Sequence, residues 1–364
     1  MSRPISILVY TTQLMKIGGI ESHLQEFTHW LSARGAKIDL IVLNCDILPE
    51  TEQFYLRTCR RFFAGKKRGT LSRLLWLLVI RLTVIGRRYD AIYTNGQGES
   101  IQVFAKLFST AGKWVHHYHQ SCEPEDQLTW GETYRKSLTK SDMLIACSNS
   151  IAEKLQAALR RPIEVFPCFS RQISIANKEL GPVGKLKLGY YGRLIPEKGI
   201  DVLCQFSEDR DFSEIEFHIW GQGVTYTSEF FSKFPNIYFH GAFSGEKELT
   251  AVIQSLHAYL LISKNPEALP IVLLEVMSAG LPWFATDRGG IPDIFHDIYT
   301  TRIVPASFNY SEIKKELLDF IEGIRMGKVD AGALKEAYKS KFSHEILAEN
   351  WLKIFSSSSS HHRS

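Results

Sequence analysis

The segment from Leu261 to Pro292 contains two carboxylates and a double glycine at spacings that could bind a polar ligand. Seven residues separate Glu267 from Glu275, and a Gly-Gly pair follows them. Pro270 suits the first position of a helix, because its fixed φ matches helical geometry and its missing N–H needs no partner there. The pattern therefore predicts Glu267 on a loop and Glu275 inside the following helix.

An anion site is expected where this helix begins. The apolar run from Ala258 to Ser263 has the length of a buried parallel strand. The first turn of the helix would place free amides and the positive end of its dipole at the carboxyl end of that strand, where a diphosphate would fit. Two carboxylates would repel phosphates unless they face hydroxyl groups, which a ribose and a sugar ring supply. The alternative is an ordinary amphipathic helix with a solvated Glu at each end.

Two cations and a pair of glycines also follow apolar runs elsewhere in the chain. Arg193 and Lys198 follow the apolar run from Leu186 to Tyr191, and together they could hold a diphosphate and stabilise the charge on a leaving group. A surface pair flanking a turn is the alternative. Gly18 and Gly19 follow the first apolar run, so their amides could approach a ligand without a Cβ in the way.

Three histidines end the apolar run that begins at Lys113. Strand alternation places His117 and His119 on one face and His116 on the other. Hydrogen-bonded structural histidines and a metal site are the alternatives. No carboxylate or cysteine stands at ligand spacing in the sequence, so no metal is expected.

The motifs GGIESHLQEF, YYGRLIPEKGIDVL and the E-x7-E segment occur in this order along the chain. Together they resemble the retaining, nucleotide-sugar-dependent glycosyltransferases of glycosyltransferase family 4, of the kind that builds bacterial lipopolysaccharide and capsule. The resemblance covers nearly the whole chain. It implies an α/β GT-B fold, in which two Rossmann-like doubly wound domains face each other across a cleft.

The resemblance also implies roles for individual residues. Glu275 would bind ribose hydroxyls, Glu267 sugar hydroxyls, and Arg193 with Lys198 the diphosphate. His119 would contact the transferred sugar near its reacting carbon, with His117 in reserve. The implied catalytic residues are His119, Glu267, Arg193 and Lys198, and the implied donor site consists of Gly18, Gly19, Arg193, Lys198, Gly221, His240, Glu267, Ala268, Leu269, Ile271 and Glu275.

The implied reaction moves a hexose-type sugar from a nucleoside diphosphate, UDP by preference or GDP, to a hydroxyl of a lipid-linked or polysaccharide acceptor. It needs no metal or other cofactor. The chain departs from the family pattern at Ala268, where glycine is common, and at Cys168-Phe169, where Asn-Gly is usual. A sugar-nucleotide epimerase and a non-catalytic scaffold are the alternatives. Replacing Glu275 by Ala is expected to weaken donor binding and leave the fold intact.

Apolar runs alternate with amphipathic stretches in both halves, which is typical of doubly wound parallel sheets. Two domains are predicted over residues 1–170 and 184–341. The resemblance implies that the first binds the acceptor and is completed by a final helix at 342–356, and that the second binds the donor. The polar segment from Ser170 to Gly184 is interpreted as a linker. A single long helical region is predicted up to about Arg88.

Residues 57–88 combine many basic residues with aromatic ones. The charged flank is assigned to an anionic membrane surface, whereas the apolar run from Leu74 to Ile80 is interpreted as a core helix and is too short to span a bilayer. The proposed acceptor and membrane contacts are Arg60, Arg61, Lys66, Lys67, Arg68 and Arg73.

The net charge of +4 is too small to indicate a nucleic-acid partner. The six cysteines form no C-x-x-C pair, which favours reduced thiols in the cytoplasm, and the protein is expected at the inner face of the cell membrane. The tail SSSSSHHRS is left out of the fold prediction as low-complexity sequence.

Overall fold

The computed structural model describes residues 3–16, 18–66, 69–108, 112–176, 184–307 and 309–357. The chain divides into two compact units, Met1–Phe169 with His344–Ser364, and Ser170–Ser343. Each unit has a parallel sheet accompanied by helices. The predicted class, α/β with two Rossmann-like domains, is confirmed.

The sheet of the first unit has seven strands in the order β3-β2-β1-β4-β5-β6-β7 within the described residues. Its strands are β1 (Ser6–Leu14), β2 (Lys37–Cys45), β3 (Arg61–Ala64), β4 (Ala91–Asn95), β5 (Lys113–Tyr118), β6 (Met143–Ala146) and β7 (Glu164–Val165). Its helices are α1 (Gly19–Ala33), α2 (Pro49–Thr58), α3 (Thr70–Thr83), α4 (Ser100–Leu107), α5 (Pro124–Leu128), α6 (Glu132–Lys140), α7 (Asn149–Leu159) and, at the end of the chain, α14 (His344–Ser356). The strand order reverses between β1 and β4, which is the topological switch point of this sheet.

Both faces of the first sheet are covered, so its central strands are apolar on both sides. One core contains residues of α3, α4, α6 and α7, and the other contains residues of α1 and α14. In the second core the Trp351 ring of α14 lies 5.4 Å from the Phe27 ring and 5.4 Å from the Tyr93 ring. The end of the chain is therefore part of the core of the first unit.

The sheet of the second unit has six strands in the order β10-β9-β8-β11-β12-β13 within the described residues. Its strands are β8 (Leu186–Arg193), β9 (Ile215–Gln222), β10 (Ile237–Gly241), β11 (Ala258–Leu261), β12 (Trp283–Thr286) and β13 (Thr301–Val304). Its α-helices are α8 (Ile200–Glu208), α9 (Ser228–Phe231), α10 (Gly245–Ser255), α11 (Ile271–Ser278), α12 (Tyr310–Arg325) and α13 (Ala331–Phe342), and short 3₁₀ helices cover Pro196–Lys198, Arg210–Phe212 and Ile291–Ile294. The switch point lies between β8 and β11.

The prediction of one long helical region before Arg88 is wrong. That region contains α2, the edge strand β3 and α3. Phe62 and Phe63 pair in register with Leu40 and Ile41 of β2, and this gives a short apolar segment between basic residues a place at the sheet edge. Local helical periodicity could not show this pairing.

Two further boundaries differ from the sequence prediction. Helix α11 begins at Ile271, with Pro270 as its N-cap. The first residues of the predicted linker belong to the second unit, because Ile173 is buried and its N–H donates to the Ser278 hydroxyl at 2.9 Å. Residues 177–183 of that linker lie outside the described residues. No helix in the described part of the chain has the length and apolarity to cross a bilayer.

Candidate functional site

The ends of β8 and β11 bring a cation and a carboxylate together at the switch point of the second sheet. The Lys198 Nζ lies 2.5 Å from Glu267 Oε1. The Ser263 hydroxyl donates to the same oxygen. The sequence placed Lys198 and Glu267 in separate motifs, and the parallel pairing of the two strands makes them neighbours.

Arg193 ends β8 at the same edge of this sheet. Its side chain is exposed, and its guanidinium makes no hydrogen bond or ion pair with another of the residues that the structure describes. Lys198 and Glu267 retain 19% and 16% exposure, so solvent and ligands can reach both. The edge thus offers one guanidinium in solvent and one ammonium beside a carboxylate, which suits an anion that also carries hydroxyl groups.

The Gly289-Gly290 turn fixes the backbone of Glu267. Gly289 has a φ of +63°, and a Cβ there would lie 2.1 Å from the Glu267 carbonyl oxygen. The Gly290 N–H donates to that oxygen at 2.7 Å. Gly289 therefore has a structural reason, which is to let the turn after β12 pass against the Glu267 loop.

Glu275 is a buried carboxylate with protein partners on both oxygens. Its side chain is 1% exposed, Arg171 Nε donates to Oε1 at 2.7 Å, and the Tyr191 hydroxyl donates to Oε2 at 3.0 Å. Burial raises the pKa of Tyr191 well above its ordinary value, and the nearby Glu275 charge adds to this. The expectation that Glu275→Ala leaves the fold intact is revised, because this carboxylate also balances a charge within the unit.

The other residues of the second unit that were predicted to contact the donor differ in their burial and packing. Leu269 is buried, and Ala268 and Ile271 on either side of it are half-buried at the start of α11. A Cβ at Gly221 would lie 2.0 Å from the Gly192 carbonyl oxygen, so close packing of β9 on β8 explains this glycine. His240 is exposed at the end of β10.

Gly18 and Gly19 lie where the first unit changes from β1 to α1. Gly18 is the N-cap of α1, and Gly19 is its first residue. A Cβ at Gly18 would lie 2.1 Å from Glu21 Oε2, and Glu21 Oε1 accepts a hydrogen bond from the Met15 N–H at 2.9 Å. The glycine therefore admits the carboxylate that holds the loop before α1.

The carboxyl edge of the first sheet carries a cluster of two histidines and two cysteines. His117 and His119 share a face, with ring centroids 4.1 Å apart, as strand alternation predicts. Cys147 after β6 and Cys168 after β7 lie beside them, and the ligand atoms of the four residues are all within 4.8 Å of one another. The sequence spacing did not indicate these cysteines, because the sheet unites residues that are far apart along the chain.

Hydrogen bonds connect this cluster to the interior of the first unit. The Phe169 N–H donates to His23 Nδ1 at 2.9 Å, and His23 Nε2 lies 2.9 Å from the Tyr93 hydroxyl. The same hydroxyl lies 3.0 Å from His117 Nδ1. Burial lowers the pKa of His23 and of His117 well below the ordinary value, so both imidazoles are neutral at physiological pH.

The basic residues assigned to a membrane differ in their structural roles. The prediction that Arg60 contacts a membrane is wrong. Its guanidinium forms two hydrogen bonds of 2.8 Å to the buried carboxylate of Asp39 and so belongs to the interior. Arg61 donates to the Thr83 carbonyl at the end of α3 at 2.8 Å. Lys66 is exposed and Arg73 is half-buried. Lys67 and Arg68 lie outside the described residues.

Helix α3 exposes an apolar face. The helix buries Leu77 and Ile80 in the first unit. Seven other apolar residues on and just after it are exposed, by 70% at Leu71 and by 66% at Leu82 and Ile85; the set is Leu71, Leu74, Leu75, Leu78, Val79, Leu82 and Ile85. The interpretation of this run as a core helix with a solvated polar face is wrong, because most of its apolar surface faces outward.

Two family matches cover most of the chain. Residues 17–169 match the family described as Glycosyltransferase Family 4, and residues 172–328 match the family described as Glycosyl transferases group 1. Both families consist of glycosyltransferases, and the two-sheet architecture is that of the GT-B type. The chain belongs to the GT-B glycosyltransferases.

Individual relatives agree with this class. An uncharacterised glycosyltransferase of Methanocaldococcus jannaschii is 23% identical over 97% of this chain and 98% of its own length. A second one from that organism is 25% identical over 61% of each chain. A GDP-mannose-dependent alpha-mannosyltransferase of Mycobacterium tuberculosis is 29% identical over 37% of this chain and 34% of its own.

Solved structures share the fold. A crystal structure of Anabaena HepE with UDP has a TM-score of 0.77 at 16% identity, covering 97% of this chain and 100% of that one. The lipopolysaccharide outer core galactosyltransferase WaaB has a TM-score of 0.71 at 17% identity, covering 97% of this chain and 99% of that one. At these identities the likeness concerns the fold alone.

The sequence analysis did not predict several residues of the Glu267 and Glu275 site and of the histidine–cysteine cluster. These are Ser263 beside Glu267, Arg171 and Tyr191 beside Glu275, and Cys147 and Cys168 beside the histidines. All but Arg171 lie near the carboxyl ends of predicted strands. Comparing the residues that follow successive strands of one sheet would have brought the two cysteines and the histidines together.

Proposed function

We propose that this chain is a retaining glycosyltransferase that moves a hexose-type sugar from a nucleoside diphosphate to a hydroxyl of a lipid-linked or polysaccharide acceptor of a bacterial surface glycan. The observation that supports it best is the Lys198–Glu267 pair at the switch point, with the Arg193 guanidinium in solvent at the same edge. UDP is the preferred nucleotide, in line with the UDP bound in the HepE crystal structure. GDP is the second choice, in line with the name of the mycobacterial relative.

Each group has a chemical task in this proposal. Arg193 and Lys198 bind the diphosphate and stabilise the negative charge that grows as the sugar leaves. Glu267 accepts hydrogen bonds from sugar hydroxyls, and its contact with Lys198 holds it beside the phosphates. His119 contacts the sugar near the reacting carbon. No magnesium or manganese needs to be added, because the two cations take the place of a metal at the leaving group.

Glu275 binds the ribose hydroxyls in this proposal, under a structural constraint. Its carboxylate is 1% exposed and has Arg171 and Tyr191 as partners. Ribose binding therefore requires Arg171 or Tyr191 to give up part of its contact.

The experiment is a panel of UDP- and GDP-sugars incubated with the purified chain, with and without a lipid-linked glycan acceptor and without added divalent metal. We expect nucleotide release that rises with the acceptor. A Lys198→Ala variant should bind UDP about 10- to 100-fold more weakly, because it loses a charge-assisted contact. Lys233→Ala, an exposed lysine of the same unit, is the matched control. Conversion of the sugar nucleotide without an acceptor would indicate an epimerase, and absence of nucleotide binding would indicate a scaffold; either result would overturn the proposal.

The exposed face of α3 is proposed to dock on an anionic membrane surface, which would place the protein at the cytoplasmic face of the cell membrane, where lipid-linked acceptors are found. Residues 60–88 contain nine basic residues and no acidic one. Seven exposed apolar side chains lie among them. A helix that combines an apolar face with basic flanks binds the interface of an anionic bilayer by both effects.

Vesicle sedimentation tests this docking. We expect the chain to bind vesicles containing phosphatidylglycerol, to bind phosphatidylcholine vesicles more weakly, and to dissociate as salt is raised. Leu75→Glu with Leu82→Glu should abolish binding, whereas Leu128→Glu, which changes an 86% exposed leucine elsewhere in the unit, should not. If light scattering without lipid shows a dimer that the double variant disrupts, the face is an interface between copies of this chain and the membrane proposal fails.

A further inference from the structure

We propose that His117, His119, Cys147 and Cys168 bind a single zinc ion at the carboxyl edge of the first sheet. Two imidazoles and two thiolates are the ligand set of a structural zinc site. All four residues belong to one unit, and their ligand atoms lie within 4.8 Å of one another.

The separations of these atoms fit tetrahedral coordination. The sulfurs of Cys147 and Cys168 are 3.3 Å apart. The Cys147 sulfur lies 3.5 Å from His117 Nε2 and 3.5 Å from His119 Nδ1, and the Cys168 sulfur lies 3.4 Å from His119 Nδ1. Zinc–sulfur bonds of about 2.3 Å and zinc–nitrogen bonds of about 2.0 Å place two sulfurs about 3.8 Å apart and a sulfur and a nitrogen about 3.5 Å apart. These four separations lie within about 0.5 Å of the tetrahedral values, and all four ligand atoms lie within 4.8 Å of one another.

Charge also favours the ion at this place. Three of the four residues are buried and His119 is half-buried. Zinc binding releases the two thiol protons, and two thiolates with Zn²⁺ form a neutral group, which a buried position tolerates far better than a lone charge.

The surroundings would hold His117 in the required tautomer. Its Nε2 faces the cluster, and its Nδ1 lies 3.0 Å from the Tyr93 hydroxyl. A zinc-bound Nε2 leaves the proton on Nδ1, which donates it to the Tyr93 oxygen. The Tyr93 oxygen also lies 2.9 Å from His23 Nε2, so the same hydroxyl connects both imidazoles.

The site would also fix the proton of His119. Coordination through Nδ1 leaves the proton on Nε2, and that nitrogen is buried and without a hydrogen-bond partner in the described part of the chain. His119 would then act as a hydrogen-bond donor and could not accept a proton. The effect of this on sugar transfer rests on the proposed function, whereas the metal site itself does not.

Elemental analysis of the full chain, purified without chelator, tests the site. We expect about one zinc per chain. Cys147→Ser and Cys168→Ser should each lose most of it. Two matched controls should keep it, namely Cys204→Ser, a buried cysteine of the second unit, and His116→Asn, which is on the opposite face of β5.

Cobalt spectroscopy of the unaltered chain keeps the test decisive if a variant fails to fold. Replacing zinc by Co²⁺ should give the visible bands of a tetrahedral ion and a near-ultraviolet thiolate charge-transfer band. A chain that holds no zinc after dialysis against zinc, metal retained by both cysteine variants, or a Cys147–Cys168 disulfide found by peptide mapping would each overturn the proposal. These measurements use no sugar nucleotide, so failure of sugar transfer would leave them unchanged.

Discussion

At the scale of single residues, the candidate donor site is built from charges that the protein partly balances itself. Glu267 is paired with Lys198, and Glu275 with Arg171 and the Tyr191 hydroxyl. An ionised carboxylate that is fully removed from water needs such partners, since its desolvation is costly. The two acidic residues therefore differ: solvent reaches Glu267, whereas Glu275 is part of the interior.

Replacing Glu275 should destabilise the protein as well as weaken donor binding. Glu275→Ala leaves the Arg171 charge without this carboxylate and removes the shorter of the two hydrogen bonds of the Tyr191 hydroxyl, which also donates to the Val272 carbonyl at 3.3 Å, so we expect the free energy of unfolding to fall by about 3 kcal/mol. Glu275→Gln keeps an acceptor oxygen and should cost less. Urea denaturation measures both, with Glu214→Ala, an exposed glutamate of the same unit, as the control. Equal stability of Glu275→Ala and the unaltered chain would show that the Arg171 contact contributes nothing.

At the scale of elements, the edge of the second sheet carries a stack of rings. His240 of β10 lies 4.3 Å from the Trp220 ring, and its Nε2 is 2.9 Å from His218 Nδ1 of β9. This hydrogen bond needs one neutral imidazole as acceptor. Partial removal from water within the stack lowers the pKa of both histidines below the ordinary value, and the hydrogen bond from His218 to Glu216 opposes this only in part.

The stack should make the second unit less stable in mild acid. Because the folded-state pKa values lie below the unfolded value of about 6.5, the unfolded chain binds more protons as pH falls below about 6.5. The stability is therefore complete above that pH and is lost below it, by at most about 1.4 kcal/mol per pH unit for each histidine. His218→Gln and His240→Gln should each reduce this slope in urea titrations run at several pH values.

Tyr238→Phe is the matched control for the acid effect. The Tyr238 ring stacks on His218 at 4.9 Å, and this change alters the stack without removing an imidazole. A slope that neither histidine variant changes would assign the loss of stability to other groups.

At the scale of the whole molecule, two units have separate cores. Trp351 is fully buried in the first and Trp283 in the second. The chain enters the second unit at Ser170 and returns to the first at His344. The first unit therefore needs the last helix of the chain to complete the core that contains Phe27 and Tyr93.

Because the two cores are separate, we expect a substitution in one core to destabilise mainly the unit that contains it. Trp351→Ala and Trp283→Ala should each cost about 3 to 5 kcal/mol, because each leaves a large cavity. Hydrogen exchange measured by mass spectrometry should then rise in peptides of residues 3–169 and 344–357 for Trp351→Ala, and in peptides of residues 184–343 for Trp283→Ala. Each variant is the control for the other, and equal acceleration in both units would contradict independent cores.

Local sequence patterns determined the class of fold and most of its elements. Strand alternation placed His117 and His119 on one face, and the motifs around Lys198 and Glu267 pointed to a nucleotide sugar. These features depend on the residue types along a short stretch, so periodicity and spacing reveal them. The same reasoning misread the α3 region, because an apolar run looks alike whether it faces a core or lies exposed.

Tertiary structure alone decided which of these residues meet. The pairing of β8 with β11 brought Lys198 to Glu267, and the order β5-β6-β7 brought two histidines to two cysteines that lie 21 residues apart. The sequence carries the strands, but the order in which they pair depends on the packing of both faces of each sheet. Contacts between strand ends follow from that order, and for this reason the cluster of two histidines and two cysteines, which the linear spacing did not indicate, is visible only in the folded chain.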